Sequence, residues 1–291
     1  MNRLCLIGVA VTDEPTKLST TDHSRDSAGL RYVYPVVSRR AGGVSIGINL
    51  NTNNACNWRC IYCQVPDLVR GTAPPVDLPL LEKELSGFLH DLQHGDFMQR
   101  VPPEVRRIND IAISGNGEPT SAQEFAEVIE IIARLKPADL KLVLITNGSL
   151  MQRDNVQQGL RRMAQLNGEV WFKLDRASEA GMALVNDTKM TMEKVQQNLA
   201  AAIACCPNTW LQTCWFALDG KAPLAQDEDD YVDFLKGLLR GGITPQGVLL
   251  YGLARPSMQK EGSRLSALSS GQMESFAARI RMLGVDVKLS V

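Results

Sequence analysis

Six apolar runs of strand length recur along the chain: VSIGINL (44–50), DIAIS (110–114), KLVLIT (141–146), EVWFKL (169–174), TWLQTCWFAL (209–218) and GVLLYGLA (247–254). Segments with helical spacing of apolar residues follow them, at 78–93, 122–136, 155–166, 192–204, 230–241 and 270–284, before a terminal strand at 285–291. Continuous Val/Ile/Leu runs alternating with amphipathic segments predict a parallel sheet covered by helices. Six such units with right-handed crossovers predict an α/β barrel or partial barrel, with chemistry at the carboxyl ends of the strands. A doubly wound open sheet is the alternative, because periodicity does not report closure.

The first 43 residues break this rhythm and read as an N-terminal extension packing on a 44–291 core. They hold a short apolar strand at Leu4 to Val11, a polar stretch, and then LRYVYPVVSRRAGG. Thr120 and Ser121 stand where caps would open one helix, and Asp227 to Asp230 suit the dipole at the start of another. The run DEDD therefore reads as a solvated helix start before it reads as a metal site.

Composition narrows the function little. Apolar content of 44% with 22% charge is ordinary for a globular protein, and a net charge of −1 gives no pull toward nucleic acid or anionic membrane. The start lacks a secretory pattern and no apolar run reaches the length of a membrane span, so the expected compartment is the reducing cytoplasm. There, clustered cysteines favour metal ligation over disulfides.

The polar and glycine-rich residues collect after the strands. NNACNWRCIYCQVP (53–66) follows the first, SGNGEPT (114–120) the second, TNGSL (146–150) the third, KLDRAS (173–178) the fourth and YGLARPS (251–257) the sixth. Cys56, Cys60 and Cys63 follow C-x3-C-x2-C with no histidine beside them and no fourth cysteine. A structural zinc site needs a fourth ligand, and a redox pair at Cys60 and Cys63 leaves Cys56 without a role. A four-iron cluster on three thiolates leaves one iron open for a substrate or cofactor. Cys5, Cys205, Cys206 and Cys214 read as buried thiols.

The C-x3-C-x2-C loop with Tyr62 before its last cysteine, followed by GNGE after the next strand, resembles the signature of the radical S-adenosylmethionine (SAM) superfamily. That resemblance implies a partial (β/α)6 barrel with parallel strands and outer helices. It also implies a [4Fe-4S] cluster on Cys56, Cys60 and Cys63, with SAM chelating the open iron. Reductive cleavage of SAM would give a 5′-deoxyadenosyl radical that abstracts hydrogen from substrate, with a flavodoxin- or ferredoxin-like protein as electron donor. On the same resemblance Tyr62 lies near the adenine, and Gly115, Asn116, Gly117 and Glu118 receive the methionine amino group. Asn147, Lys173, Asp175 and Arg255 are candidates for the ribose, carboxylate or adenosine.

More narrowly, YVYPVVSRRAGGVSIGINL, SGNGEPT, KLDRAS and YGLARPS together look like the wyosine-synthase-related iron–sulfur oxidoreductases. Two departures matter: only Cys5 precedes the motif, where wyosine-forming enzymes carry a second cluster, and the chain lacks a basic excess for tRNA. The substrate stays open, with an RNA base, a small molecule or a protein-radical partner as candidates and Arg39 and Arg40 as possible anion contacts. The other classes are an iron–sulfur or zinc protein without SAM chemistry and a degenerate barrel serving as a scaffold.

Overall fold

The computed structural model describes residues 29–38 and 43–291. The expected strand at Leu4 to Val11, Cys5, and the Arg39–Arg40 pair lie outside the described residues.

Among the described residues an eight-stranded sheet forms the centre. Its strands are β1 (Val33–Ser38), β2 (Gly43–Ile48), β3 (Ile108–Ile113), β4 (Lys141–Thr146), β5 (Glu169–Lys173), β6 (Thr209–Cys214), β7 (Val248–Tyr251) and β8 (Val287–Ser290). The strands lie side by side in chain order, and all neighbours from β2 onward are parallel. A doubly wound sheet must reverse its strand order at a switch point, and this order does not reverse. The sheet is α/β and mostly parallel; β1 and β8 end it at opposite edges.

Among the described strands of this sheet only β1 runs antiparallel, pairing with β2 over six residues. The periodicity did not reveal it, because its sequence VYPVVS carries a proline tolerated only at an edge. It extends the sheet into residues expected to be an N-terminal extension. Buried Glu84 holds it, accepting hydrogen bonds from the backbone N–H of Arg31 (2.9 Å) and Tyr32 (2.8 Å). Tyr34 lays its ring over Gly47, where a Cβ would come within 2.2 Å of the ring, and its hydroxyl meets Ser114 Oγ at 2.9 Å.

Among the described residues seven α-helices connect the strands: α1 (Leu78–His94), α2 (Phe125–Leu135), α3 (Asp154–Gln165), α4 (Glu179–Asn186), α5 (Met192–Cys205), α6 (Ala225–Arg240) and α7 (Ser270–Arg281). Alternate strand residues Ile46, Ile48, Ile111, Ile113, Leu142, Leu144, Val170, Phe172, Leu211, Val248 and Leu250 pack with the helices in the main core. On the opposite face Ala112, Val143, Trp210 and Cys214 lie outside that core although buried. Sequential strand order with right-handed crossovers places helices on one side in this way.

One local expectation changes and one holds. Thr120 and Ser121 sit in a short 3-10 turn, Pro119–Ser121, and α2 starts only at Phe125. Their hydroxyls turn back to Glu118, at 2.6 Å to its carboxylate and 2.7 Å to its carbonyl. The DEDD run lies inside the first turns of α6, where Asp227 accepts from Leu224 N (2.8 Å) and Glu228 pairs with Arg279 of α7 (2.8 Å).

Candidate functional site

The cysteine loop leaves the carboxyl end of β2 and is fixed by its own apolar residues. Trp58 and Ile61 are buried, Trp58 in the main core and Ile61 with Val185, Cys214 and Phe216. Cys56, Cys60 and Cys63 stay half-buried. Ala55–Cys56 forms a short parallel pairing with Val69–Arg70. The end of α4 supplies two carbonyls, accepting from Arg59 N (3.1 Å, Asn186 O) and Ile61 N (2.9 Å, Val185 O). From the other side Ser257 Oγ donates to Ile61 O (2.7 Å) and Met258 N to Cys63 O (2.9 Å). Arg59 completes the clamp with a bidentate pair to Glu261, 2.9 Å on each arm, and a contact to Asp187 at 3.2 Å.

The GNGE loop packs directly on this loop. A Cβ on Gly117 would lie 2.0 Å from Ala55 O, and one on Gly115 would lie 2.3 Å from Asn49 Oδ1. Asn49 Oδ1 accepts from Asn51 N (3.1 Å) and Asn116 N (3.0 Å), and Asn116 Nδ2 donates to Asn54 Oδ1 (2.6 Å). Close backbone approach thus explains both glycines.

Glu118 is buried and both oxygens of its carboxylate accept hydrogen bonds from the protein. Oε1 accepts from Thr120 N (3.1 Å), Thr120 Oγ1 (2.6 Å) and Thr146 Oγ1 (2.6 Å), and Oε2 from Asn147 N (2.6 Å). Burial raises its pKa above the ordinary range although these donors pull it down. Asn147 is engaged as well: Nδ2 donates to Asn57 Oδ1 (2.8 Å), and Oδ1 accepts from Ser149 N (3.0 Å). Glu118 and Asn147 therefore tie the loops after β2, β3 and β4 into one unit.

A second group gathers across the loop. Asp175 is buried; its Oδ2 accepts from Tyr62 Oη (2.5 Å) and Asn186 Nδ2 (2.6 Å), and its Oδ1 from Cys214 N (2.8 Å). Lys173 Nζ bonds Tyr251 Oη (3.0 Å) and lies 5.1 Å from the Tyr62 ring centroid. Burial opposes the Lys173 charge, but Asp175, Tyr251, Cys60 and Cys214 together outweigh it and hold the pKa above that of a free lysine. Burial, reinforced by Asp175, keeps the Tyr62 phenol protonated and so a donor. Burial also pushes the Cys56 and Cys60 thiols up to about 12. Two backbone and side-chain N–H groups already point at sulfur: Trp58 N at Cys56 (3.5 Å) and Asn186 Nδ2 at Cys60 (3.2 Å). Arg255 reaches the loop through Gln64 Oε1 (3.4 Å).

All the sequence-predicted site residues thus border the cysteine loop, in two flanks. The sequence reading missed Asn186 and Tyr251. Tyr251 stood in plain view at the carboxyl end of its strand, in YGLARPS. Asn186 had no signal, because α4 spans eight residues and its periodicity is too short to read. Cys205, Cys206 and Cys214 are buried as expected. Among the described residues no three His, Cys, Asp or Glu side chains converge as ligands of a single ion would. None of the described helices is long and apolar enough to cross a membrane.

Solved structures share this fold, among them SuiB and TYW1. SuiB of Streptococcus suis, bound to its precursor peptide SuiA, superposes with a TM-score of 0.57 at 11% identity, covering 84% of this chain and 47% of SuiB. SuiB bound to S-adenosylmethionine gives 0.55 at 11% identity over 87% of this chain and 52% of SuiB. TYW1 with a lysine–pyruvate adduct gives 0.52 at 16% identity over 82% of this chain and 73% of TYW1.

Among curated sequences the chain is 27% identical to a UPF0026 protein of Methanocaldococcus jannaschii, over 57% of this chain and 48% of that one. It is 30% identical to a UPF0026 protein of Synechocystis, over 49% of this chain and 48% of that one. It is also 27% identical to the GTPase Obg of Brachyspira hyodysenteriae, over 51% of this chain but 20% of the GTPase. The chain thus spans about half the length of the UPF0026 relatives and a fifth of the GTPase. No protein-family model matches the chain.

Proposed function

We propose that this chain is a radical SAM enzyme, with its sheet curved as a partial (β/α)6 barrel and a [4Fe-4S] cluster on Cys56, Cys60 and Cys63. The observation that carries the reading is the docking of the C-x3-C-x2-C loop onto the GNGE loop, at the carboxyl ends of adjacent parallel strands.

The donor set fits such a cluster. Cys56, Cys60 and Cys63 stand free on one loop and supply the soft thiolate ligands that such a cluster takes. N–H groups aimed at two of the three sulfurs suit thiolates that keep negative charge. When bound, the cluster and SAM supply the one-electron cleavage that produces a 5′-deoxyadenosyl radical.

The chain's own residues bind and orient. Lys173, charged and with one hydrogen bond to a protein group, is the natural partner of the SAM carboxylate. Tyr62 presents its ring, steadied through Asp175, to a flat adenine. Gly115 to Gly117 offer backbone groups to the methionine end, and Arg255 stands at the rim. Glu118 and Asn147 act one step back, fixing the loops rather than meeting the cofactor, since their hydrogen-bonding groups are held by protein partners. An external electron donor and an unidentified substrate complete the system.

That occupancy of Glu118 and Asn147 also favours a second reading, an iron–sulfur electron carrier whose GNGE loop only packs. Anaerobic reconstitution separates the two. The enzyme reading expects about four irons per chain, an EPR signal altered by SAM, and 5′-deoxyadenosine after reduction. A reduced cluster whose EPR ignores SAM overturns it. Cys60→Ala should lose the cluster; unchanged iron would remove the ligand assignment.

A further inference from the structure

Asn186 ends α4 with no exposed surface. Its amide nitrogen donates to both Cys60 Sγ (3.2 Å) and Asp175 Oδ2 (2.6 Å). The Asp175 carboxylate, held by Tyr62 Oη and Cys214 N, can only accept, so it selects the nitrogen end of the Asn186 amide. The same choice leaves Asn186 Oδ1 buried without a hydrogen-bond partner. A fold that strands an acceptor in order to aim a donor has a use for the donor. Main chain fixes the rest: the carbonyls of Val185 and Asn186 hold Ile61 and Arg59, the residues on either side of Cys60.

We propose that Asn186 is a positioning residue that raises the reduction potential of the cluster by hydrogen bonding to Cys60 Sγ. The proposal rests on the cluster reading above. One-electron reduction adds negative charge that is shared with the thiolates, and an N–H donor stabilises the reduced form more than the oxidised one. The amide also stands between the sulfur and the Asp175 carboxylate, whose charge alone would act the other way. In its absence, low-potential electrons would be harder to place on the cluster.

The test uses the full chain loaded with its cluster, free of SAM, titrated anaerobically with Ti(III) citrate and followed by EPR. Asn186→Leu should lower the equilibrium constant for reduction about tenfold, a shift of about 59 mV to more negative potential for one electron. Asn186→Asp, equal in size, should move further in the same direction by placing a second carboxylate at the sulfur. Potentials indistinguishable from wild type in a folded variant overturn the proposal. Should neither variant fold, wild-type protein with 15N in its asparagine side chains must show nitrogen coupled to the reduced cluster, and no coupling overturns it. Wild-type protein that takes up no iron refutes the cluster reading itself, whereas a loaded cluster with unmoved potentials refutes only the role of Asn186.

Discussion

Replacing Glu118 with alanine separates a residue that fixes loops from one that meets a ligand. The buried carboxylate accepts two backbone N–H groups, Thr120 and Asn147, and two hydroxyls, Thr120 and Thr146. The hydroxyls can rotate toward other acceptors, but the backbone donors cannot. Each donor orphaned in the interior costs about 1–3 kcal/mol, so the pair amounts to about 2–6 kcal/mol before any cavity term. Against a typical total of about 5–15 kcal/mol that is a large fraction. Urea unfolding of the iron-free protein, followed by circular dichroism, measures it without interference from the cluster. With a slope of about 3 kcal/mol/M the midpoint should fall by about 0.7–2 M. Glu118→Gln keeps the three bonds to one oxygen and sets an amide N–H against Asn147 N–H, so it should fall between wild type and Glu118→Ala. A loss below about 1 kcal/mol in the alanine variant, with SAM binding abolished, would refute the reasoning and make Glu118 a ligand contact.

The remaining predictions concern the clamp and the packing of the two loops. Arg59 hydrogen bonds hold the Glu261 carboxyl below its ordinary 4.5. A depressed folded-state value contributes stability that is present above pH 4.5 and lost as pH falls through the folded value. Arg59→Met should therefore weaken the protein at neutral pH and flatten the acid limb of its stability profile; an unchanged limb in thermal melts from pH 3 to about 7 would count against the clamp. Gly117→Ala forces a Cβ to within 2.0 Å of Ala55 O and 2.7 Å of Asn51 Nδ2, so it should cost about 1–3 kcal/mol and lower the iron retained after reconstitution. Gly252→Ala, whose Cβ would meet nothing within 4 Å, is the control and should change stability by no more than about 0.5 kcal/mol. Lys173→Met should leave iron content intact and abolish the effect of SAM on the reduced EPR spectrum; a retained SAM effect would remove Lys173 from the carboxylate site.

The sequence by itself determined the parallel α/β core and the rim on which the candidate site residues gather. Long Val/Ile/Leu runs can be satisfied only when both faces of a strand are covered, and that requirement is written locally. The cysteine spacing is equally local, since three thiols in eight residues share a loop whatever the rest of the chain does. Tertiary structure decided the parts that depend on distant partners. The edge strand β1 hid behind its proline and behind a glutamate 52 positions away that holds its backbone. The GNGE loop read as a ligand cradle; the structure adds that Asn49 and Ala55 press against its glycines and that its glutamate accepts from Thr120, Thr146 and Asn147. Asn186 lies 126 residues from Cys60, at the end of a helix too short to leave a periodic trace. Hydrogen bonds of that reach depend on how the strands stack in chain order, and no window of sequence records them.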